Sequence, residues 1–279
     1  MPWFPDFAGA VELVRRETRS AGRADPVGQY LRALDGADTH ALEDVWPGEV
    51  VIHDPRLGEV RGHRELRRFV ARSRSLLEEH HARVETEGSV VVGNRAVVEL
   101  LAHIRRDGQD LDWPVAVVAE SAERSVVFRS YFSQRPLDGR HHLRSPVLGP
   151  GAVRVADVVE RFRRALAAGD TDGVVGTFAP DGYFREPAGQ RPTHRGGDEL
   201  RSHFRRCFGA GGGIELQACA VTDDGARCAL EYNLVRWGTR DLPPQAGLGV
   251  FDRGPDGLLA AARLYDDAEP PDDPPGAPA

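Results

Sequence analysis

The sequence predicts an α+β protein made of two tandem copies of one small domain, each with helices over a curved antiparallel sheet that leaves a conical pocket. Three observations carry this reading. Five segments recur in the same order at a nearly constant offset. Within each copy, apolar residues at helical spacing come first and alternating β-rich runs follow. A stretch rich in Pro and Gly separates the copies.

The repeat is explicit. Tyr30-Leu-Arg-Ala-Leu-Asp-Gly-Ala-Asp38 matches Phe162-Arg-Arg-Ala-Leu-Ala-Ala-Gly-Asp170, and Ile52-His-Asp54-Pro55 matches Phe184-Arg-Glu186-Pro187. Arg61-Gly-His-Arg-Glu-Leu-Arg67 matches Arg195-Gly-Gly-Asp-Glu-Leu-Arg201. Arg95-Ala-Val-Val-Glu-Leu100 matches Arg227-Cys-Ala-Leu-Glu-Tyr232, and Phe128-Arg-Ser-Tyr131 matches Ala262-Arg-Leu-Tyr265. A period this long excludes a solenoid and implies two whole domains. The boundaries follow: an N-terminal extension over 1–24, domain 1 over 25–135, a linker over 136–152, domain 2 over 153–268, and a disordered tail over 269–279 rich in Pro, Asp, Gly and Ala.

In copy one, Pro26 to Leu34 reads as a helix ended by Gly36, and Asp38 or Thr39 caps a second helix reaching Val45. Val50 to His53 is a short strand closed by Asp54-Pro55, and Glu65 to Leu77 is a third helix. Runs over Ala82–Val92, Arg95–Ile104, Trp113–Glu120 and Ser125–Phe132 form a meander. Copy two repeats the plan, with helices near 156–168, 172–178 and 198–207 and strands near 214–222, 226–237, 245–253 and 257–265.

Composition narrows the function. A length of 279 residues suits two cores, and 41% hydrophobic with 28% charged residues is ordinary for a globular protein. A net charge of -7 argues against nucleic acid as a partner. No run of apolar residues is long enough for a membrane span, and the N-terminus lacks a basic region followed by an apolar one. Cys207, Cys219 and Cys228 are an odd count without paired spacing, which predicts reduced thiols and a cytoplasmic protein. His80-His81 and His141-His142 do not have metal-ligand spacing, because adjacent strand residues point to opposite faces, so no metal and no cofactor is expected.

The helix Gln29-Tyr30-Leu-Arg-Ala-Leu34, the strand ending His53-Asp54-Pro55, and Arg61-Gly-His-Arg-Glu65 resemble the nuclear transport factor 2-like (SnoaL-like) superfamily, with its cone-shaped, cystatin-like fold. That superfamily includes ketosteroid isomerases, epoxide hydrolases and polyketide cyclases. The tandem arrangement is similar to polyether epoxide-opening cyclases of the lasalocid type. The resemblance implies a carboxylate at the Asp-Pro position paired with a carboxylate on the first long strand. In copy two these are Glu186 and Glu215; in copy one they are Asp54 and, with a register shift of two, Glu85. In isomerase-like members a Tyr on the first helix donates to an oxyanion, and Tyr30 stands there; the further acidic donor is replaced by Ala116 and Gly249.

The resemblance thus implies an epoxide-opening cyclase or hydrolase working by paired carboxyls on a hydrophobic, polyketide-like substrate. One carboxyl protonates the epoxide oxygen and the other takes the proton of the attacking hydroxyl. Trp113, Phe128, Phe132, Tyr232 and Asp266 are expected to line the pocket, although Asp266 also reads as the start of the acidic tail. Two rival readings stay open: an isomerase-like or aldol-type cyclase with one base and an enolate-stabilising donor, and a binding protein without catalysis. The two copies are expected to pair within the chain, or the chain to form a homodimer.

Overall fold

The computed structural model describes residues 49–122, 125–154, 157–187, 193–209 and 211–270. The extension over 1–24, the first two helices of copy one, Tyr30 and the tail beyond 270 lie outside the described residues. The chain divides into two compact units between Leu137 and Asp138. Among the described residues no helix is long and apolar enough to cross a membrane.

The first unit runs β1 (Glu49–Asp54), β2 (Gly58–Arg61), α1 (His63–Glu79), β3 (Arg83–Val92), β4 (Arg95–Arg106), β5 (Gln109–Ala122) and β6 (Ser125–Tyr131), followed by one turn of helix, α2 (Arg135–Asp138). The second runs α3 (Asp157–Ala168), α4 (Thr171–Val175), β7 (Phe178–Arg185), β8 (Thr193–Arg195), α5 (Gly196–Cys207), β9 (Ile214–Asp223), β10 (Arg227–Trp237), β11 (Arg240–Arg253) and β12 (Leu259–Tyr265). The two curved sheets share one strand order, β2-β1-β6-β5-β4-β3 and β8-β7-β12-β11-β10-β9.

Each sheet is mixed where the sequence predicts antiparallel pairing: β1 runs parallel to β6 and β7 parallel to β12. Hairpins join only antiparallel neighbours. The strand before the long helix returns beside the last meander strand, and that connection allows a parallel pair. β2 and β8, absent from the sequence reading, are edge strands too short to show alternation. Strands β4 and β5 extend past the expected ends because Asp107 and Gly108, with φ of 52° and 78°, make a two-residue hairpin turn between Arg106 and Gln109.

The repeated Arg-Gly-x-x-Glu motif is a helix start. Gly62 and Gly196 adopt φ of 79° and 74°, and Glu65 and Glu199 fold back to accept the backbone N–H of Arg61 (3.2 Å) and Arg195 (2.8 Å). The helices then bury one stripe: Leu66, Phe69 and Leu77 on α1, and Leu200 and Phe204 on α5. Val158, Val159, Phe162 and Leu166 of α3 complete the second core, in which the Phe162 ring meets those of Phe178, Phe204 and Phe251 at 5.5–6.3 Å.

The Pro- and Gly-rich linker is extended but docked. Leu148 O accepts Asn233 Nδ2 at 2.9 Å, Arg144 O accepts Ala246 N at 3.0 Å, and Gly151 N donates to Ala218 O at 3.1 Å. It is therefore tied to β9, β10 and β11 of the second unit.

The glycine run before β9 is a packing junction. A Cβ on Gly213 would stand 2.1 Å from Leu166 O and 2.4 Å from Gly169 N, at the C-terminal end of α3. Gly213→Ala therefore forces backbone apart, and overpacking of this kind costs about 1–3 kcal/mol or more. We expect a clear fall in thermal midpoint for Gly213→Ala and little change for Gly149→Ala, whose added Cβ meets nothing within 4 Å.

Candidate active site

The helix-covered face of the second sheet carries a polar row in an apolar setting. On β10, Leu230, Tyr232 and Leu234 belong to the core cluster, so Tyr232 faces the helices. It stands opposite Gly247 of β11, whose neighbour Leu248 pairs with Tyr265 of β12. The same register continued by one residue sets Gly247 beside Asp266. Tyr232 lies across the glycine and its Oη donates to Asp266 Oδ2 at 2.5 Å. A Cβ on Gly247 would stand 2.4 Å from the Tyr232 ring, so only glycine leaves room for this crossing.

Asp266 is 6% exposed. Burial pushes its carboxyl above the usual carboxylate range. The Tyr232 hydroxyl and Ala268 N–H oppose that shift, and the neighbouring Asp267 carboxylate reinforces it. Asp267 is itself held by His142 N at 2.9 Å and His141 Nδ1 at 3.2 Å, both from the linker.

Glu186 follows β7 on the same face as Phe184. His194 of β8 pairs with Phe184, and its Nε2 lies 2.6 Å from Glu186 Oε1. His203 of α5, 4% exposed, brings Nδ1 to 3.3 Å from the same oxygen. The two imidazoles stack at 4.1 Å. Arg206 Nη2 is 3.9 Å from Oε1, and Cys207 Sγ is 3.3 Å from His203 Nε2.

Burial works against ionising Glu186, yet hydrogen bonds and charge from His203 and His194 bring its pKa down to about 2. Burial lowers the His203 pKa against the pull of Glu186, and burial, with Glu186, pushes the Cys207 thiol up to about 12. Glu186, His194 and His203 are the one group among the described residues whose ligand atoms converge as a metal-ligand set, all within 4.8 Å of one another.

Parallel pairing places Phe184 beside Ala262 and Arg185 beside Arg263, so Glu186 falls beside Leu264, one pleat before Asp266. Strand geometry then sets the Glu186 and Asp266 Cα atoms on the order of 8 Å apart. One face thus presents a carboxylate whose pKa is lowered and a carboxyl whose pKa is raised.

Family profiles of the SnoaL-like domain match residues 27–128 and 159–261, together well over half of the sequence. The chain belongs to the SnoaL-like family. No protein of curated function matches it in sequence. Among solved structures it is similar to an LEH-like epoxide hydrolase from M. tuberculosis, at 27% identity over 39% of this chain and 80% of that one, with a TM-score of 0.33. It is also similar to a Catenulispora acidiphila protein with a ketosteroid isomerase-like fold, solved with trimethylamine (13%, 40% and 86%, TM-score 0.34). A Burkholderia thailandensis SnoaL-like protein of unknown function is a third (18%, 39% and 92%, TM-score 0.33).

The SnoaL-like domains place the other expected residues as follows. Glu215 does not meet Glu186. Its neighbours Ile214 and Leu216 take the core face, so the pleat turns Glu215 away, where Arg236 Nε and Nη2 bind it at 3.1 and 3.0 Å. β7 and β9 are also four strand spacings apart, ~19 Å across a flat sheet. In domain 1, Asp54 continues the core-facing line of Val50 and Ile52, and its Oδ1 accepts the N–H groups of Arg56 (2.8 Å) and Leu57 (2.9 Å) as a turn. Glu85 lies 3.2 Å from His103, which also binds Asp112, on the face away from the core. Trp113, Phe128 and Phe132 are buried core residues, with Trp113 Nε1 donating to Ser133 O and its ring edge-on to Phe132.

The repeat exposes the difference between the domains. Where domain 2 has Tyr232, Gly247 and Asp266, domain 1 has Leu100, Val115 and Phe132; where domain 2 has His194 and His203, domain 1 has Val60 and Phe69. His194 and His203 escaped the sequence reading because they sit on separate elements, but this pairwise comparison of the copies marks both.

Two outcomes follow. Gly247→Ala should displace the Tyr232 ring and cost about 1–3 kcal/mol in denaturant unfolding. Asp266, with its folded pKa raised, contributes stability present below its unfolded pKa and lost as pH rises through the folded value. The thermal midpoint of Asp266→Asn should therefore gain on that of the wild type as pH is raised from acid to alkaline, and a constant difference would show that Asp266 does not titrate there.

Proposed function

We propose that the protein is a cofactor-independent epoxide-opening enzyme, a cyclase or hydrolase acting on a hydrophobic polyketide-like substrate, with its chemistry in domain 2. The observation that carries this reading is the buried Asp266, its pKa raised and its carboxyl bonded to Tyr232, on the same face as the Glu186 carboxylate. Opening an epoxide needs a proton donor and a proton acceptor at once. The Asp266 carboxyl gives its proton to the epoxide oxygen as the C–O bond breaks. Glu186, oriented by His194 and His203, accepts the proton of the attacking hydroxyl or water, directly or through an imidazole. Leu230, Phe251 and Leu264 of the same core favour an apolar chain, and burial favours the protonated form of Asp266. The tandem likeness to polyether cyclases supplies the substrate class, while Glu215 leaves the proposed pair and Asp266 replaces it.

A second reading rests on the same Tyr232–Asp266 contact. A tyrosine hydroxyl beside a carboxyl whose protonated form burial favours can stabilise an enolate oxygen, with Glu186 removing a carbon-bound proton, as in an isomerase or aldol-type cyclase.

The test is turnover of a hydroxy-epoxide polyketide surrogate and of a β,γ-unsaturated ketosteroid, with products read by mass spectrometry and NMR. The epoxide reading expects cyclic ether or diol, a loss of about 10²-fold or more in Asp266→Asn and in Glu186→Gln, and an unchanged rate in Asp54→Asn. Turnover of the ketosteroid alone would replace it with the enolate reading, and inertness toward both substrates would overturn both.

A further inference from the structure

We propose that Glu186, His194 and His203, the groups to which the epoxide reading gives proton transfer, also bind a divalent transition-metal ion of the zinc type; binding does not depend on that reading. The three donors come from the end of β7, from β8 and from α5, and converge to within 4.8 Å. Bonds of about 2.1 Å in a tetrahedron set donor atoms about 3.4 Å apart. Glu186 Oε1 and His203 Nδ1 are already 3.3 Å apart, and the 2.6 Å between Glu186 and His194 has to open by less than about 1 Å. Two imidazoles and one carboxylate suit zinc, cobalt or nickel, whereas calcium and magnesium take oxygen ligands.

The second layer is in place too. Ring contacts with Phe184 at 5.1 Å and Phe204 at 5.0 Å hold His203, and Cys207 Sγ lies 3.3 Å from its other ring nitrogen. The Glu186 side chain is 32% exposed, which gives an ion a route from solvent. Arg206 is the opposing group: its guanidinium is 3.9 Å from Glu186 and 3.3 Å from His203 Nδ1. It is 61% exposed and free to swing outward. Metal and guanidinium therefore compete for one carboxylate. Domain 1, with Asp54, Val60 and Phe69 at the same positions, cannot form this site.

The experiment titrates metal-free full-length protein with Zn²⁺ against a chromophoric chelator, and with Co²⁺ read by visible absorption; neither needs turnover. The site predicts one Zn²⁺ per chain, tetrahedral cobalt bands and a Zn²⁺-dependent rise in thermal midpoint. His194→Ala and His203→Phe, the latter importing the domain 1 residue, should each weaken binding at least tenfold with the fold retained by circular dichroism. Arg206→Gln should tighten it, and His103→Ala in domain 1 should leave it unchanged. Binding that survives His194→Ala and His203→Phe together, or that falls with His103→Ala, assigns the ion to surface imidazoles and overturns the proposal. So does the absence of a cobalt spectrum and of a Zn²⁺-induced thermal shift in the unmodified protein, which does not depend on any variant folding.

Discussion

A carboxyl buried on an apolar sheet face is expensive unless its oxygens are hydrogen-bonded, and domain 2 is arranged around meeting that condition at Asp266. The partner hydroxyl has to come from a strand two places away, because the intervening strand lies between them. Gly247 removes the side chain that would stand in the way, and Tyr232 crosses it to reach the carboxyl. The donor, the gap and the acid are therefore one unit, and a side chain at the gap would separate the other two. The acidic neighbour Asp267, fixed by linker residues His141 and His142, reinforces the upward shift of the Asp266 pKa.

The two domains separate what makes the fold from what makes the chemistry. Both use the Arg-Gly-x-x-Glu helix start, the same strand order and the same parallel pair. Their differences include five positions on one sheet and helix face. Domain 1 fills them with Leu100, Val115, Phe132, Val60 and Phe69, the residues a well-packed core favours. Domain 2 carries Tyr232, Gly247, Asp266, His194 and His203: the glycine makes room for the tyrosine, and the four polar groups are hydrogen-bonded or ion-paired. A sequence that sets polar groups at these positions in one copy and not in the other has placed them for something other than stability.

The legible parts of the chain were those encoded locally. Helical spacing around Leu66 to Leu77 and around Val158 to Leu166 marks α1 and α3, and alternation marks β3, β4, β9 and β10. The parallel pairs were hidden because pairing between chain ends leaves no local pattern, and β2 and β8 are too short to alternate. Strands β4, β5 and β11 ran past their expected ends because polar residues such as Arg105, Asp110 and Arg240 continue the ribbon beyond the core. Glu215 was placed by analogy along the strand, where one residue of pleat decides the face. The Glu186 group was invisible for a different reason: its members are eight and nine residues apart on separate elements, while the eye goes to adjacent histidines. Reading domain 1 against domain 2 position by position recovers His194 and His203 from sequence and singles out Asp266 among the expected pocket residues, since each is a polar residue where the other copy has an apolar one.

Glu186 has more positive and polar neighbours than one proton transfer requires. A carboxylate meant only to accept a proton gains nothing from a pKa near 2, because a weaker base accepts protons less readily. Two imidazoles and a guanidinium directed at one carboxylate stabilise its anion instead. Two uses reconcile this. The carboxylate can orient an imidazole that takes the proton, or it can serve as the anionic member of a cation site. In both, the Arg206 guanidinium, 3.9 Å from Glu186 and largely exposed, is a positive charge with which a proton or cation at the site has to share that carboxylate.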